Sequence, residues 1–308
     1  MISKNIKYFD LRRICSSGQI FRMYEREDGI FDVYSGNRHL RLRQQGGKVD
    51  FYCDWEEFDS YWRRYFDLDR DYEVIVRAAT GKDELVEQAC QYGAGIRILH
   101  QDIWEMLISF IISQQKQIPS IRKCIEALCE RFGERKCDTH IWYTFPTAEA
   151  IATGGPEGMK GLSLGYRERY ISETAVKYLT DGLPYDTVES MGLDAAKAYF
   201  TSFCGVGEKV ANCICLFGAG YVDAFPIDTH IKDILYREYY LKLNGTASPK
   251  GNKPVNVNTQ KGNKSGREHG LTMSDYENLV KQHFDRFRGY RGIVQQWIFA
   301  REVATELK

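Results

Sequence analysis

Lys209 and Asp228 have the types and the spacing that a covalent reaction at an electrophilic carbon would need. Lys209 follows a Gly-Val-Gly stretch at 205–207 and begins an apolar helical run, with Cys213 one turn further along. Apolar surroundings lower the pKa of an amine, and a neutral amine forms a Schiff base. Asp228, within Phe-Pro-Ile-Asp-Thr-His, offers a carboxylate that stabilises developing positive charge. Singly, Lys209 is a solvated lysine and Asp228 a helix N-cap worth about 1 kcal/mol, so the prediction depends on the pair.

The glycines before the lysine predict a tight turn between two helices. Gly205 and Gly207 permit positive φ, and the amides that begin the next helix suit a phosphate. A P-loop needs Ser or Thr where Val210 stands, and a dinucleotide fingerprint needs a third glycine and a preceding strand. The remaining interpretation is a helix–hairpin–helix motif near 190–218, which holds a nucleic-acid backbone without reading its sequence.

The N-terminal part of the chain is expected to form an antiparallel β-sheet. Apolar and polar residues alternate there, and turn signals stand at Asp28-Gly29, Gly36-Asn37 and Gly46-Gly47 at hairpin spacing. After the predicted strands, residues 55–77 show the apolar spacing of a helix. We therefore predict an N-terminal subdomain over 1–85, built from an antiparallel sheet with helices.

The rest of the chain, 86–308, is predicted to be mostly α-helical. The stretch 102–115, DIWEMLISFIISQQ, is the most apolar helix and is expected at the centre of the core. Residues 244–270 are rich in Gly, Asn, Lys, Thr and Ser without apolar periodicity, which indicates a flexible insertion. The fold class is therefore α+β, with the helix–hairpin–helix motif inside the helical region.

Charge, cysteine content and the lack of a long apolar segment limit the classes of protein that this chain can belong to, but they do not identify its function. The 42 basic and 42 acidic residues balance, but 229–308 carries 14 basic and 8 acidic residues, which permits a nucleic-acid partner without requiring one. The 9 cysteines follow no disulfide spacing and are expected to be free thiols. No signal peptide or membrane span is evident, so we expect an intracellular protein, cytoplasmic in a prokaryote, with no membrane partner.

The hairpin, the lysine and the aspartate together resemble the helix–hairpin–helix DNA glycosylases, and most closely the 8-oxoguanine DNA glycosylase/AP lyases. The resemblance covers nearly the whole chain apart from 244–270, in the same order. It is carried by SSGQIFR (16–22), YFDLD (65–69), GIRILHQDIWEMLISFIIS (95–113), GYRERY (165–170), KVANCICL (209–216) and GIVQQWIF (292–299).

The resemblance implies a bifunctional reaction on duplex DNA that contains 8-oxoguanine. Lys209 matches the lysine that attacks C1′, displaces the base and leaves a Schiff base that permits β-elimination. Asp228 matches the aspartate that stabilises the oxocarbenium-like charge. The resemblance implies no cofactor and no metal, and we expect a monomer.

The same resemblance implies an extrahelical pocket for the damaged base. Gly18 offers its carbonyl to N7–H, which 8-oxoguanine has and guanine lacks. Gln295 matches the glutamine that reads the Watson–Crick edge, and Phe299 and Cys213 match residues that sandwich the base. Phe217 is assigned to this base pocket as well. Without the resemblance, Phe299 would be a core residue and Gln295 a surface amide.

Further residues are implied in binding the DNA around the lesion. His230 matches a histidine that contacts phosphate, Tyr166 a wedge, and Arg167 an arginine that reads the widowed cytosine. Gln115 replaces the asparagine that fills the base hole in animal enzymes, and Ser120 replaces a second cytosine-reading arginine. We therefore expect a preference for cytosine opposite the lesion that is weaker by about 1–2 kcal/mol.

Related functions are separated by single features. Endonuclease III and adenine glycosylases usually carry four cysteines for an iron–sulfur cluster after the aspartate, and no cysteine follows Cys215 here. Cys213 and Cys215 make a poor metal site because alternate positions on a helix diverge. Alkylbase glycosylases lack the lysine. Two alternatives stay open: a non-catalytic helix–hairpin–helix DNA-binding module, and a glycosylase for another oxidised purine.

Overall fold

The computed structural model describes residues 1–81, 83–244 and 269–306. Almost all of the insertion predicted at 244–270 lies outside the described residues, so its flexibility stays a prediction. Within the described ranges, no helix combines the length and the apolar character that crossing a membrane requires. All 9 cysteines are free thiols, as their spacing indicated.

The alternating N-terminal residues form one antiparallel sheet of five strands. Its turns lie at the predicted glycines, because Gly29, Gly36 and Gly46 have positive φ angles of 68°, 56° and 60°. Leu40 and Leu42 are buried, as their alternation predicts. The strands are β1 (Ile2–Asn5), β2 (Met23–Glu25), β3 (Ile30–Ser35), β4 (Arg38–Gln45) and β5 (Lys48–Phe51). Their order in the sheet is β1-β5-β4-β3-β2.

Helices form most of the rest of the described chain, and one two-stranded β-hairpin interrupts them there. The helices are α1 (Leu11–Ser16), α2 (Trp55–Glu57), α3 (Arg63–Tyr65), α4 (Tyr72–Ala79), α5 (Glu84–Gly93), α6 (Ile103–Ser113), α7 (Ile118–Phe132), α8 (Ala148–Gly158), α9 (Arg167–Asp181), α10 (Tyr185–Ser190), α11 (Leu193–Thr201), α12 (Glu208–Phe217), α13 (Thr229–Leu235), α14 (Leu241–Asn244), α15 (Met273–Phe284) and α16 (Arg291–Glu306). Single π-helical turns, Phe58–Trp62 and Tyr236–Tyr240, join α2 to α3 and α13 to α14. The hairpin consists of β6 (Arg135–Cys137) and β7 (Ile141–Tyr143). The sequence did not predict it, because three-residue strands are too short to show a period.

The helices enclose a core around α6. Every residue from Ile103 to Ile112 is buried, which confirms the prediction that this apolar helix is central. On α16, Trp297 is fully buried, and its Nε1 donates to Ile96 O at 2.9 Å. A second apolar cluster lies between the sheet and the helices that follow it, with Trp62 at 0% exposure. The α+β class is thus confirmed, while the boundary near residue 85 stays a prediction.

A cluster of charged side chains fastens the β6–β7 hairpin to the sheet. His39 lies with Nε2 2.9 Å from Asp32 Oδ1 and with Nδ1 2.7 Å from Asp138 Oδ2. The ligand atoms of Asp32, His39 and His140 lie within 4.8 Å of one another, as a metal site would require. However, the Arg26 guanidinium already binds the Asp32 carboxylate at 2.8 Å and would repel a cation. We therefore interpret this cluster as a clasp made of protein groups alone.

The clasp predicts a pH-dependent contribution to stability. Burial opposes protonation of His39, but hydrogen bonds and charges from Asp32 and Asp138 outweigh it and raise the pKa of the imidazole. This stabilisation is therefore full below the unfolded pKa of about 6.5 and is lost as pH rises through the folded pKa. We expect His39→Gln to lower the unfolding free energy by about 2 kcal/mol near pH 5.5 and by less near pH 8.5. Urea unfolding measures both values, and equal losses would contradict a charged clasp.

Candidate active site

The turn between α11 and α12 has the geometry of a backbone-binding hairpin. Gly205 has a φ of +78°, and a Cβ there would lie 2.5 Å from Cδ2 of Tyr170, so only glycine fits. No side chain caps α12 at Gly207, which leaves the first amides of the helix available to a phosphate. The Gly205 carbonyl accepts a hydrogen bond from Gln114 Nε2 at 2.8 Å, and this bond ties the turn to the end of α6.

Lys209 stands in the first turn of α12 and is half-buried. Its Nζ lies 5.5 Å from the centroid of the Phe110 ring, and Cys213 follows one turn further along the same helix. Burial lowers the pKa of the amine, but Cys213 and the Asp228 carboxylate outweigh burial and raise it. The expected lowering is therefore wrong, because the sequence argument considered the apolar helix and not the carboxylate that α13 brings. The ammonium form predominates near neutral pH.

Cys213 and Phe217 lie on the buried side of α12. Burial raises the pKa of the Cys213 thiol, and the neighbouring Lys209 opposes this shift. Phe217 is 4% exposed, and its ring stacks on Phe110 with centroids 5.8 Å apart. Phe110, which sequence reasoning did not single out, thus supports both the amine and Phe217. Its position in a uniformly apolar helix gave no signal of this role.

Asp228 is the N-cap of α13, as its place before Thr-His-Ile indicated. Its Oδ1 accepts the Ile231 amide at 2.8 Å. The cap fixes the carboxylate where its charge raises the pKa of the Lys209 amine. Capping and an electrostatic role at the amine are therefore compatible in one side chain.

Gly18, Phe299 and His230 come together from three distant parts of the chain. Gly18 has a φ of +82°, and a Cβ there would lie 3.0 Å from Cε1 of Phe299 and 3.6 Å from Cδ1 of Ile118. His230, two residues after Asp228, packs edge-on against the Phe299 ring with centroids 5.9 Å apart. The Phe299 ring therefore connects the Gly18 loop to the helix that Asp228 caps.

Gln295 on α16 is an amide in a buried place. It is 2% exposed, and its Oε1 is among the buried polar atoms that have no hydrogen-bond partner within the described part of the chain. A buried acceptor of this kind costs about 1–3 kcal/mol, which a ligand N–H would recover. The assignment of Gln295 as a surface amide, made from its residue type alone, is wrong because α16 is buried on all sides from Gly292 to Ile298.

The residues assigned to the DNA around the lesion differ in exposure. Gln115 is exposed and has a φ of +52°, Ser120 is exposed, and Tyr166 is 49% exposed. Arg167 is buried, with its guanidinium donating to the Leu164 carbonyl at 3.1 Å and lying 4.4 Å from the Tyr166 ring. Arg167 would have to exchange these contacts to read a base, so its role stays a prediction.

Three buried glutamines next to Gly18 were not singled out from the sequence. Gln19, Gln101 and Gln296 are between 0% and 4% exposed, and all three hydrogen-bond backbone groups. An amide inside an apolar stretch, as in the Gln-Gln pair at 295–296, was the available signal. That signal does not say which backbone group the amide binds.

Two family models match consecutive parts of the chain. The model for the 8-oxoguanine DNA glycosylase N-terminal domain matches residues 1–107. The model for the HhH-GPD superfamily base excision DNA repair protein matches residues 108–250. Together the two models cover the N-terminal sheet, α6, the turn between α11 and α12, and Asp228.

Named relatives and solved structures agree with these matches. An N-glycosylase/DNA lyase of Saccharomyces cerevisiae is 37% identical over an alignment of 163 residues that covers 49% of this chain and 43% of the yeast protein. The chain thus spans less than half the length of this curated relative. The Clostridium acetobutylicum 8-oxoguanine glycosylase/lyase, bound to dsDNA with cytosine opposite 8-oxoG, is 28% identical with a TM-score of 0.83, covering 98% of this chain and 94% of that one. MBOgg1 in complex with a low-affinity DNA ligand is 30% identical with a TM-score of 0.82, covering 98% and 95%.

Proposed function

We propose a function from one premise: the chain belongs to the 8-oxoguanine DNA glycosylase family of the HhH-GPD superfamily. We infer that it is a bifunctional DNA N-glycosylase and AP lyase in base excision repair, which excises 8-oxoguanine from duplex DNA. It works as a monomer and without a cofactor.

One observation carries this proposal: an amine, a carboxylate and the contact between Phe299 and Gly18 lie around the helix that Asp228 caps. The charge of Asp228 acts on Lys209, and His230, on the helix that Asp228 caps, contacts Phe299. Phe299 in turn packs against Gly18. A nucleophile and a base pocket thus share one place, which a purely structural DNA-binding module would not need.

The reaction begins with loss of a proton from Lys209, since only the neutral amine is nucleophilic. The amine nitrogen bonds to C1′ as the C1′–N9 bond breaks, and the base leaves with the electron pair and takes up a proton. Asp228 stabilises the positive charge that develops on the sugar. The sugar ring then opens to a Schiff base, and removal of a C2′ proton expels the 3′ phosphate.

The lesion is distinguished at both edges of the flipped base. The Gly18 carbonyl accepts the N7–H of 8-oxoguanine, where guanine would present a second acceptor. Gln295 pairs with the Watson–Crick edge, which supplies the missing donor for its buried Oε1. Phe299 and Cys213 hold the two faces of the base, and Phe217 supports the pocket through Phe110.

The DNA around the lesion is held by groups near the pocket mouth. The hairpin at Gly205 and Gly207, with His230, binds phosphates. Tyr166 acts as the wedge, and Gln115 fills the hole that the flipped base leaves. Arg167 is then the one arginine left for the opposite cytosine, because the other assigned position holds Ser120.

Borohydride trapping on four duplexes tests the reaction and the opposite-base proposal together. Each duplex carries one 8-oxoguanine opposite cytosine, adenine, guanine or thymine. We expect a covalent adduct, and strand cleavage without alkali, on all four. Single-turnover rates should lie within about tenfold of one another, since Ser120 removes one bidentate contact to cytosine worth about 1–2 kcal/mol.

The same experiment separates the alternatives. An undamaged duplex is the control and gives no adduct. If no duplex gives an adduct, the lyase is refuted and the non-catalytic hairpin module remains. Trapping with cytosine alone would refute relaxed pairing, and faster excision of a different oxidised purine would reassign the substrate.

A further inference from the structure

The peptide groups on both sides of the Gly18–Gln19 peptide are held by buried glutamine side chains. Gln296 Nε2 donates to the Ser17 carbonyl at 2.7 Å, and Gln101 Nε2 donates to the Gln19 carbonyl at 2.9 Å. Gln296 is 2% exposed and Gln101 is 4% exposed. The carbonyl between these two held groups is that of Gly18.

Gln19 itself is anchored through its side chain. It is 0% exposed, its Nε2 donates to the Arg97 carbonyl at 2.9 Å, and its Oε1 accepts the Leu99 amide at 2.9 Å. Its Nε2 also lies 3.1 Å from Ser17 Oγ. The backbone on the C-terminal side of Gly18 is therefore fixed to the 97–101 segment, which leads directly into α6.

Glycine at position 18 makes these anchors necessary. With a φ of +82° and no Cβ, Gly18 would let its following peptide group rotate at little cost. Fixing Ser17 O on one side and the Gln19 residue on the other removes that freedom. Burial makes the hydrogen bonds from Gln296 and Gln101 costly to break, because each lost hydrogen bond leaves a buried donor and a buried acceptor without a partner.

Gln295 and Gln296 are neighbours on α16 and have different partners. Gln295 Oε1 is buried without a partner among the described residues, while Gln296 reaches back to the loop that contains Gly18. One turn of one helix thus sets the side-chain amide at one edge of the pocket and the backbone carbonyl at the other. A shift of α16 would move both together.

We propose that Gln296 and Gln101 are positioning residues that aim the Gly18 carbonyl at N7–H of the lesion. This inference rests on the proposed function of the same pocket. Neither glutamine touches the reacting atoms, so neither takes part in the step at C1′. Their role is to keep one acceptor in place, where a displacement of about 1 Å can cost on the order of 10²-fold in rate.

The test replaces Gln296 by Met, which keeps the length of the side chain and removes the donor. We expect single-turnover excision of 8-oxoguanine to fall about 10–100-fold, while cleavage of a preformed abasic site stays within about threefold. The preference for 8-oxoguanine over guanine, from dissociation constants of uncleavable 2′-fluoro duplexes, should fall about tenfold. Gln101→Met should likewise lower excision and lesion preference while leaving cleavage of the abasic site nearly unchanged.

Gln44→Met is the matched control, because Gln44 Nε2 also holds a backbone carbonyl, that of Phe9, at 2.7 Å, but in the sheet. It should leave lesion preference unchanged. Parallel loss of excision and abasic cleavage in the folded Gln296 and Gln101 variants would overturn the positioning role, as would unchanged excision. If one variant does not fold, the other decides. A wild-type protein without excision would instead overturn the proposed function.

Discussion

Lys209→Gln is expected to abolish the borohydride-trapped adduct and to lower 8-oxoguanine excision by on the order of 10⁴-fold or more. The amide that replaces the amine cannot form a Schiff base. It does keep most of the side-chain length beside the Phe110 ring. We expect the unfolding free energy to change by less than about 1 kcal/mol, because the side chain is half-buried and the cost of burying its charge offsets part of the attraction to Asp228.

Lys197→Gln is the matched control for this experiment. Lys197 belongs to the same hairpin, on α11, and pairs with Glu208 at 3.0 Å. Its replacement should leave the adduct intact and affect binding by no more than a surface ion pair would, about 1 kcal/mol. An adduct that persists in Lys209→Gln would show that another amine is the nucleophile.

Asp228→Asn is expected to lower excision by about 10²–10³-fold with little change in stability. Asparagine is also a good N-cap, so the bond to the Ile231 amide is retained while the negative charge is lost. Asp228→Ala should reduce excision at least as much and should in addition lower the unfolding free energy by about 1 kcal/mol. Thermal unfolding and single-turnover kinetics on both variants separate the cap from the charge.

The sign of the Asp228→Asn effect tests where the carboxylate acts. In the free protein, Asp228 contributes to the raised pKa of Lys209. If that were its whole role, asparagine would release more neutral amine near pH 7 and excision would become faster. A slower reaction indicates that stabilisation of the sugar cation outweighs this effect. Asp54 is the matched control, because it caps α2 in the same way by accepting the Glu57 amide at 2.8 Å. Asp54→Asn should leave the excision rate unchanged.

Patterns within a few residues determined the elements and the motif. The alternation of apolar and polar residues between glycine turns predicted the sheet, and the apolar run 102–115 predicted the buried α6. The Gly-Val-Gly turn and the cap at Asp228 were also readable, because φ freedom and capping depend on neighbouring residues alone. The resemblance then indicated which distant residues share a pocket.

The tertiary structure decided the environment of each functional group. The pKa of Lys209 rises because α13 brings Asp228 to it, a contact that no helical period encodes. Gln295 is buried, and Gln296 holds Ser17, because α16 packs against a loop nearly the whole chain away. Charge, burial and hydrogen-bond partners depend on which elements meet across such distances. The sequence by itself therefore determined which residues are candidates for the chemistry. Only the packing of distant elements decided the charge, burial and hydrogen-bond partners of those residues.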